Sequence, residues 1–143
     1  MEAKKIIITG GTTRIGAAIA RSLAEEATDI TIHYNTSASN AKKIKKELDE
    51  FGVNIHLVKC NLNKEKDVAR LIKKAKKQMG GLDCLINNAS IFENDDISNF
   101  SSKSWKKHIM INLKSPSILM REFSRLTKNN PANIINIIDQ RIF

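Results

Sequence analysis

A glycine-rich turn between an apolar run and an amphipathic stretch constrains the fold of this chain more than any other feature. Ile6-Ile7-Ile8 lead into the turn, which spans residues 9–16 and reads TGGTTRIG. Gly10 and Gly11 allow a tight backbone turn, and Gly16 allows the following helix to pack close to the strand. A helix that starts here offers unpaired N–H groups and partial positive charge to an anion. The turn is therefore predicted to bind phosphate.

The spacing of this turn departs from two common phosphate-binding motifs. Thr12 stands where the second glycine of G-x-G-x-x-G would fall, and no Gly-Lys-Ser/Thr follows as in a P-loop. Arg14 adds a positive charge inside the turn, which favours a dinucleotide that carries an extra phosphate. An ordinary strand-to-helix turn is the alternative interpretation, and the motif alone does not exclude it.

The composition predicts a single domain of an ordinary globular kind. The chain has 143 residues, of which 41% are hydrophobic, enough for a buried core. No apolar run approaches the about 20 residues that span a bilayer. The residues before the turn are too few for a signal peptide, so a cytoplasmic protein without membrane attachment is expected. Cys60 and Cys84 lack metal-ligand spacing and are interpreted as reduced core thiols, and no metal site is expected.

The net charge of +9 makes nucleic acid a candidate partner. Lysines concentrate in residues 42–46 and 64–77, two segments with apolar residues at helix spacing. Solvated helix faces explain this distribution, and the segments lack interleaved aromatic residues. A basic nucleic-acid-binding domain is therefore the weakest of the interpretations, although a basic surface would also attract a polyanionic dinucleotide.

Apolar periodicity predicts five strands that alternate with helices. The strands are expected at residues 5–9, 29–34, 53–59, 84–87 and 133–138. The helices are expected at residues 15–26, 39–51, 64–79 and about 102–127, the last one interrupted at Pro116. This alternation implies a doubly wound parallel α/β sheet, which takes the order 3-2-1-4-5 if it is of the Rossmann type, within one domain that spans residues 1–143.

Two of the predicted helices have a defined apolar face. In the first helix, one face is expected to carry Ile15, Ala18, Ile19, Ser22 and Leu23. In the third helix, the inward face is expected to carry Val68, Leu71, Ile72, Ala75 and Met79. These are the positions at which 3.6-residue periodicity aligns the side chains.

Polar residues cluster at the carboxyl ends of the predicted strands, where ligands of such sheets bind. The clustered segments are residues 9–16, 33–37, 61, 87–90 and 139. Because they come from every strand, this clustering favours a dinucleotide site over an ordinary turn.

The end of the second strand bears on the choice between NAD and NADP. An acidic residue there would bind the ribose 2′-hydroxyl, but the segment reads HYNTS. No carboxylate repels a 2′-phosphate, and Arg14 can pair with that phosphate bidentately. NADP(H) is therefore the expected cofactor, and a plain polar loop is the alternative. The expected contacts in this loop are His33, Tyr34, Asn35, Thr36 and Ser37.

The chain resembles the short-chain dehydrogenase/reductase family along its whole length. The matching residues are Thr9-Gly10, Ile15-Gly16, Asn61-Leu62, Asn87-Asn88-Ala89-Ser90, Asn112 and the strand at 133–139. Arg14 replaces a turn glycine and Ser90 the usual glycine. Together with His33-Tyr34, these departures resemble the branch of pteridine and dihydromonapterin reductases. The resemblance implies hydride transfer from NADPH to a C=O or C=N bond of a small molecule, with a reduced pterin as one candidate.

The resemblance also implies the rest of the cofactor site. Asn61, where the family usually has Asp, is expected to contact adenine together with Leu62. The expected cofactor-binding residues outside the 33–37 loop are Gly10, Thr12, Thr13, Arg14, Ile15, Gly16, Asn61, Leu62, Asn88, Ala89 and Ser90. A full-length protein of this kind is expected to be a homo-oligomer.

Two residues are expected at catalytic positions. Asn112 matches the catalytic Asn of the family, and Asp139 falls at its Ser position, where the pteridine reductase branch resembles this chain in using Asp. Pro116 has no N–H, so the carbonyl of Asn112 loses its helical partner and can bind a water. The family resemblance implies a water-linked proton relay through that carbonyl. A cap after the strand is the alternative role of Asp139.

The Tyr-x-x-x-Lys motif of the family does not occur among these residues. The one tyrosine is Tyr34, and Ala38 stands four residues after it. General acid–base groups contribute about 10²–10⁴-fold in rate, so the chain alone is expected to be nearly inactive even if it binds NADP. A non-catalytic NADP-binding module, or the remnant of an interrupted gene, is the alternative from a different functional class.

The same resemblance has a structural consequence. The chain is expected to lack the last elements of the family fold, truncated before the Tyr-x-x-x-Lys motif. The fifth strand then becomes an apolar edge, which is an aggregation hazard. We therefore expect marginal stability or a partner that covers this edge.

Overall fold

The computed structural model describes residues 4–94 and 96–138. The strands are β1 Lys5–Ile8, β2 Asp29–Tyr34, β3 Ile55–Lys59, β4 Cys84–Asn87 and β5 Asn133–Asn136. The α-helices are α1 Arg14–Glu25, α2 Ala38–Asp49, α3 Glu65–Met79, α4 Ser102–His108 and α5 Ser115–Thr127. A π-helical segment, Ile109–Lys114, joins α4 to α5. None of the helices in the described ranges combines the length and the apolar character needed to cross a bilayer.

The five strands form one parallel sheet in the order β3-β2-β1-β4-β5, which confirms the predicted fold class and strand order. In the centre of the sheet, Ile8 lies opposite Ile32 on one side and Ile86 on the other. The element ends differ by up to two residues from prediction. For example, β5 ends at Asn136, although the Ile137 N–H still donates to the Asn87 carbonyl at 2.9 Å.

Two hydrophobic cores lie on opposite faces of the sheet. Ile7 and Leu85 belong to the core that contains the buried residues of α3 and α5, whereas Ile8 and Ile86 belong to the core of α1 and α2. This division follows from the alternation of side chains along each strand. Because both faces are covered, the strands read as continuous apolar runs. Each fully buried isoleucine contributes about 1.5–3 kcal/mol to stability.

The helix α3 buries the face that its sequence pattern predicted. All five residues of that face, Val68, Leu71, Ile72, Ala75 and Met79, are buried. The helix ends at Gly80, whose φ of +71° is the left-handed conformation that favours glycine at a helix terminus. The predicted and observed buried faces of α3 agree because its apolar and lysine-bearing positions lie on clearly separate faces of the helix.

The helix α1 packs with a face that overlaps the predicted one only in part. It buries its small residues Gly16, Ala17, Ala20 and Ala24, while Ile15 is exposed. Of the other predicted residues, Ile19 and Leu23 are half-buried and pack against the core, whereas Ala18 and Ser22 are exposed. The small residues face inward because α1 begins directly at the glycine turn and lies close to it: a Cβ atom on Gly16 would lie only 2.3 Å from the Gly10 carbonyl oxygen.

The long helix is irregular just before Pro116. The sequence predicted an interruption at Pro116, and the structure places the π-helical segment Ile109–Lys114 immediately before it. The Ser115 N–H donates to the Met110 carbonyl, five residues earlier, instead of to the usual fourth residue. Such widened turns are often found at functional sites, and Asn112 lies within this one.

The strand β5 forms one edge of the sheet in the described part of the chain. All four of its residues are exposed, and the exposed fraction of Ile135 is 46%. An exposed apolar edge strand offers unpaired backbone groups and an adhesive side-chain surface to another chain. The aggregation hazard expected from the sequence, which stays a prediction, would lie at this strand.

We expect Ile135→Lys to reduce aggregation of this chain during heating, because a lysine on an edge strand opposes strand pairing between molecules. Static light scattering during a thermal ramp measures this effect. The matched control is Ile97→Lys, which adds the same charge at an isoleucine that is 91% exposed but lies outside the sheet. Equal suppression by both variants would show that net charge, and not the edge, controls aggregation.

Candidate functional site

The candidate site lies at the carboxyl edge of the sheet, where four loops meet. These are the glycine turn after β1, the loop after β2, the loop after β3 and the segment after β4. The parallel arrangement of the strands brings all four loops to one side of the sheet. The structure therefore brings residues 9–16, 33–37, 61 and 87–90 together, whereas position 139 lies outside the described residues. The side chains of these segments divide into those that face solvent and those that hold the site in place.

The glycine turn depends on close contacts that only glycine permits. Gly10 has a φ of +65°, and a Cβ atom there would lie 3.0 Å from the Cα of Ala89. A Cβ atom on Gly16 would lie 2.5 Å from Nδ2 of Asn88, besides its clash with the Gly10 carbonyl. The start of α1, the turn and the end of β4 are thus in direct contact, as the prediction for Gly16 required.

The N-terminus of α1 is open to an anion. Thr13 is its N-cap residue, but the Thr13 side chain makes no cap hydrogen bond. The first backbone bond within the helix runs from the Ala17 N–H to the Thr13 carbonyl at 3.2 Å. The first-turn N–H groups, which lie before Ala17, have no intrahelical acceptor and are available to a ligand or to water.

Arg14 occupies a backbone conformation that favours glycine. Its φ is +49°, and the residue is exposed. The left-handed conformation costs a non-glycine residue about 1–2 kcal/mol. A strained arginine that holds its charge at an open helix N-terminus suggests a functional requirement for that charge. This φ agrees with the family resemblance described above, in which Arg14 stands at the position of a turn glycine.

The end of β4 is fastened to the glycine turn by Thr9 and Asn88. The hydroxyl of Thr9 accepts hydrogen bonds from the N–H groups of Asn88 and Ala89, both at 3.0 Å. Nδ2 of Asn88 donates to the carbonyls of Thr9 and Gly10 at 3.0 and 3.1 Å. The Asn88 amide was predicted to bind the cofactor, but its donor group is used to hold the turn. Ser90, next along the segment, is exposed.

His33 is separated from the rest of its predicted loop. The exposed fraction of His33 is only 2%, whereas Asn35 and Thr36 are exposed and Tyr34 and Ser37 are half-buried. The His33 ring contacts the Gly10 N–H at 3.1 Å and the Cys60 carbonyl at 3.0 Å. Both ring nitrogens are therefore engaged inside the protein. The sequence did not distinguish this side chain from its exposed neighbours.

Asn61 and Leu62, in the loop after β3, differ in how deeply their side chains are buried. Asn61 is half-buried, and its Oδ1 accepts from the Asn63 N–H at 2.9 Å. Leu62 is buried in the core, and its carbonyl accepts from the Ser115 hydroxyl at 2.6 Å. Any cofactor contact in this loop is therefore expected mainly from Asn61 and the backbone. The buried hydroxyl of Ser115 joins this loop to α5, a contact that was not predicted from the sequence.

A cleft of about 500 Å³ lies between the loop after β2 and the helix α3. Asn35, Thr36 and Asn61 line it, as the prediction that they share a site requires. Its other polar lining is mainly cationic: Lys59, Lys64, Arg70 and Lys74, with the acidic Asp67. From the sequence, the basic side chains of α3 were interpreted as a solvated face. Their spacing on one helical face beside a strand end was the signal that could have identified the cleft.

Cys60 also lines this cleft but does not act as a nucleophile at neutral pH. Burial and, to a smaller extent, the nearby Asp67 carboxylate raise the pKa of the Cys60 thiol to about 11, while Lys74 opposes the shift. Because the thiolate is the reactive form, this thiol is inert. Both Cys60 and Cys84 are free and buried, as the sequence predicted.

Asn112 fixes the segment that follows β4. The Ile91 N–H donates to Oδ1 of Asn112 at 2.9 Å, and Nδ2 of Asn112 donates to the Ile91 carbonyl at 2.9 Å. The Asn112 side chain thus pairs with both backbone groups of one residue. Its catalytic role stays a prediction, and Asp139, the other predicted catalytic residue, lies outside the described residues.

A second attachment holds the same segment two residues later. The Glu93 N–H donates to Nε2 of His108 at 3.2 Å, and the Glu93 carboxylate forms an ion pair with Lys107. This ion pair holds the pKa of Glu93 below its usual value. Phe92 lies between the two attached residues, and its side chain is 81% exposed. A fixed backbone therefore presents an exposed aromatic ring beside the candidate site.

The end of β4 also contains one buried polar atom without a partner. Nδ2 of Asn87 donates to Oδ1 of Asn136 across the β4–β5 pair at 2.9 Å. Oδ1 of Asn87 has no hydrogen-bond partner among the described residues. The sequence identified Asn87 from its motif but gave no signal for its pairing with Asn136.

We expect Asn112→Leu to release the segment after β4, because it removes both hydrogen bonds to Ile91 at similar side-chain volume. Two hydrogen bonds of about 1 kcal/mol each predict at least a tenfold faster hydrogen exchange of the Ile91 amide. NMR-detected exchange measures this, with Ser117→Ala as a control that removes a local side-chain bond to Leu113 in the same helix. Unchanged protection of the Ile91 amide in Asn112→Leu would contradict the assigned role.

Comparison with known proteins identifies what this fold and site resemble. The model of the family described as short chain dehydrogenase matches residues 4–140. The short-chain dehydrogenase/reductase FrzI from Cladobotryum sp is 30% identical over 135 residues, which cover 94% of this chain and 52% of that protein. A 3-oxoacyl-[acyl-carrier-protein] reductase FabG from Staphylococcus epidermidis is 28% identical and covers 94% of this chain and 55% of its own length.

A solved structure agrees with these sequence relatives. The FolM alternative dihydrofolate reductase 1 from Brucella canis, solved in complex with NADP, superposes with a TM-score of 0.89 at 33% sequence identity. The superposition covers 96% of this chain and 56% of that protein. This chain therefore spans about half the length of the curated relatives and solved structures that it matches.

Proposed function

Because this chain belongs to the short-chain dehydrogenase family, whose model matches residues 4–140, we propose that it binds NADP(H) and forms the cofactor-binding part of an oxidoreductase. The observation that carries this proposal is Arg14, which holds a positive charge at an open helix N-terminus in a strained conformation. The NADP complex of the FolM protein from Brucella canis supports the choice of cofactor.

The residues present fit a phosphorylated dinucleotide. The turn offers first-turn N–H groups at the open start of α1, and Gly10 and Gly16 permit the close packing that holds them there, which suits a pyrophosphate. Arg14 supplies the charge for a 2′-phosphate, and the loop at 33–37 contains no carboxylate that would repel it. Asn35, Thr36 and Asn61 line a cationic cleft that suits the adenosine end.

We propose hydride transfer to a C=O or C=N bond as the reaction class of the complete enzyme. Bound NADPH supplies the hydride. Within this chain, Asn112 holds the segment after β4 beside the site, and Phe92 presents an aromatic ring there. A flat heteroaromatic substrate, such as a reduced pterin, suits such a ring because aromatic pairs stack.

Turnover by this chain alone is proposed to be very low. Tyr34 is the one tyrosine among the 143 residues, and it is not part of a Tyr-x-x-x-Lys sequence. In the family that this chain resembles, that sequence supplies the proton-transfer groups. The same observation favours the second candidate function, a module that binds NADP(H) without catalysis. Cofactor binding is common to both, so it is the property to test first.

Two further expectations stay proposals. A cytoplasmic location is one of them. The other is a homo-oligomer of the full-length protein, for which the exposed side chains of Trp105, Ile109 and Leu113 offer an apolar stripe at four-residue spacing along the α4–π segment. An apolar stripe of this kind suits a helix–helix contact between two copies.

We expect Arg14→Gly to weaken NADPH binding by about 10–100-fold, because a charge-assisted hydrogen bond contributes about 1.5–3 kcal/mol. NADH binding should stay within about twofold, because NADH has no 2′-phosphate. The melting temperature should stay the same or rise, because glycine relieves the strain at a φ of +49°. Titration of nicotinamide fluorescence and a thermal melt measure these effects.

The matched control is Arg21→Ala, which removes one positive charge from the same helix. Arg21 is exposed and pairs with Glu47, away from the turn. It should leave both cofactor affinities unchanged at moderate salt. Equal affinity of the original chain for NADPH and NADH, or an equal loss in both variants, would refute the role of Arg14.

We expect Phe92→Ala to weaken binding of a dihydropterin to the chain saturated with NADP⁺ by about 2–10-fold, since stacking contributes about 0.5–1.5 kcal/mol. Calorimetry measures the affinity, and Phe92→Tyr should retain it. Phe100→Ala serves as the control, because the Phe100 ring packs against Trp105 at a centroid distance of 6.1 Å. Undiminished binding in Phe92→Ala would exclude this ring from the substrate site.

A further inference from the structure

We propose that His33 is a positioning residue for the glycine turn: the neutral imidazole holds the Gly10 N–H and thereby fixes the turn in the conformation that binds the cofactor. This inference rests on the proposed function, since it concerns the same cofactor turn. It assigns to His33 a different role from the direct contact that its place in the sequence suggested.

Three hydrogen bonds around His33 connect the turn to the rest of the sheet. The Gly10 N–H donates to Nδ1 of His33 at 3.1 Å, and the Gly11 N–H donates to the His33 carbonyl at 3.3 Å. On the opposite side of the ring, Nε2 lies 3.0 Å from the Cys60 carbonyl at the end of β3. One residue of β2 therefore joins the turn after β1 to the loop after β3.

These contacts determine the tautomer of the ring. A backbone N–H can only donate, so Nδ1 must carry a lone pair that faces Gly10. A carbonyl can only accept, so Nε2 must carry the hydrogen that faces Cys60. The neutral Nε2–H form satisfies both partners, and no other form does. A protonated ring would direct an Nδ1–H at the Gly10 N–H and would lose that bond.

The surroundings keep the ring neutral. Burial lowers the pKa of His33, and the hydrogen bond to the Cys60 carbonyl opposes this only in part. On the side of the turn, the ring faces the Gly10 N–H, which does not titrate. From β3 and α3 come the neutral Cys60 thiol and, beside that thiol, Asp67 and Lys74. The Gly10 bond is therefore complete at neutral pH.

The hydrogen bond between His33 and the Gly10 N–H fixes the backbone of Gly10, which the proposed cofactor site requires. Gly10 has a φ of +65°, and its carbonyl accepts from Asn88 at 3.1 Å while its N–H donates to His33. Both polar groups of this residue are thus held by side chains from the neighbouring strands. Loss of the His33 acceptor frees one side of Gly10, so the turn can leave the conformation in which its surface meets a pyrophosphate.

Two amide variants of His33 distinguish the acceptor role of Nδ1 toward Gly10 from the role of the ring in filling its buried position. In His33→Asn, Oδ1 can occupy the position of Nδ1 and accept from Gly10. In His33→Gln, Nε2 can occupy the position of the ring Nε2 and donate to Cys60, but no acceptor reaches Gly10. We expect His33→Asn to bind NADP⁺ within about threefold of the original chain and His33→Gln about 5–10-fold more weakly, from the loss of one hydrogen bond.

Thermal melts of both variants test for a merely structural effect. If the affinities of His33→Asn and His33→Gln fall in proportion to their stabilities, or if the two variants bind NADP⁺ equally well, the positioning role is refuted. A ¹⁵N NMR spectrum gives a second readout: His33 should show the neutral Nε2–H tautomer at pH 6.0, where a histidine of ordinary pKa 6.5 is mostly protonated. The other tautomer, or a charged ring, would overturn the proposal.

Hydrogen exchange in the cofactor-free chain distinguishes this inference from the proposed function. The Gly10 amide should exchange at least fivefold faster in His33→Gln than in His33→Asn, whether or not the chain binds NADP⁺. If the original chain binds no NADP⁺ but this difference is present, the proposed function fails and His33 still fixes the turn. If NADP⁺ binds and the exchange rates are equal, the positioning role fails alone.

Discussion

The contact between Gly16 and the Gly10 carbonyl is the constraint on which the candidate site depends. No side chain fits between these residues, since a Cβ atom on Gly16 would lie 2.3 Å from that oxygen. The same close approach brings α1 next to Asn88, so that the Asn88 amide can reach the carbonyls of Thr9 and Gly10. A larger residue at position 16 would separate the helix, the turn and the end of β4 at once.

Polar side chains at the strand ends form hydrogen bonds between neighbouring strands and loops, in addition to the backbone hydrogen bonds of the sheet. Thr9 follows β1, His33 lies near the end of β2, and Asn87 ends β4. Each is buried, and each makes hydrogen bonds to a neighbouring strand or loop. A buried turn without such partners would leave backbone groups unsatisfied. These side chains therefore make the tight turn compatible with a closely packed sheet, and exposed residues such as Arg14 remain available to a ligand.

The sequence predicted the features that depend on local periodicity. The strand order was correct because the alternation of strands with helices predicted a Rossmann-type sheet, and the buried face of α3 was correct because helical periodicity reports directly on burial. The buried face of α1 was predicted only in part, since its small residues face inward for steric reasons that hydrophobicity does not record. The inward direction of His33 could not be predicted either, because its partners Gly10 and Cys60 are 23 and 27 residues away along the chain.

The π-helical segment and its continuation connect the two sides of the site. Asn112 holds Ile91 in the segment after β4, and three residues later Ser115 donates to the Leu62 carbonyl in the loop after β3. One turn of helix thus fixes both the loop after β3 and the segment after β4. A regular α-helical turn would rotate Asn112 relative to Ser115, since each residue adds a fixed angle about the axis. The widened turn before Pro116 sets the angle at which both loops are held.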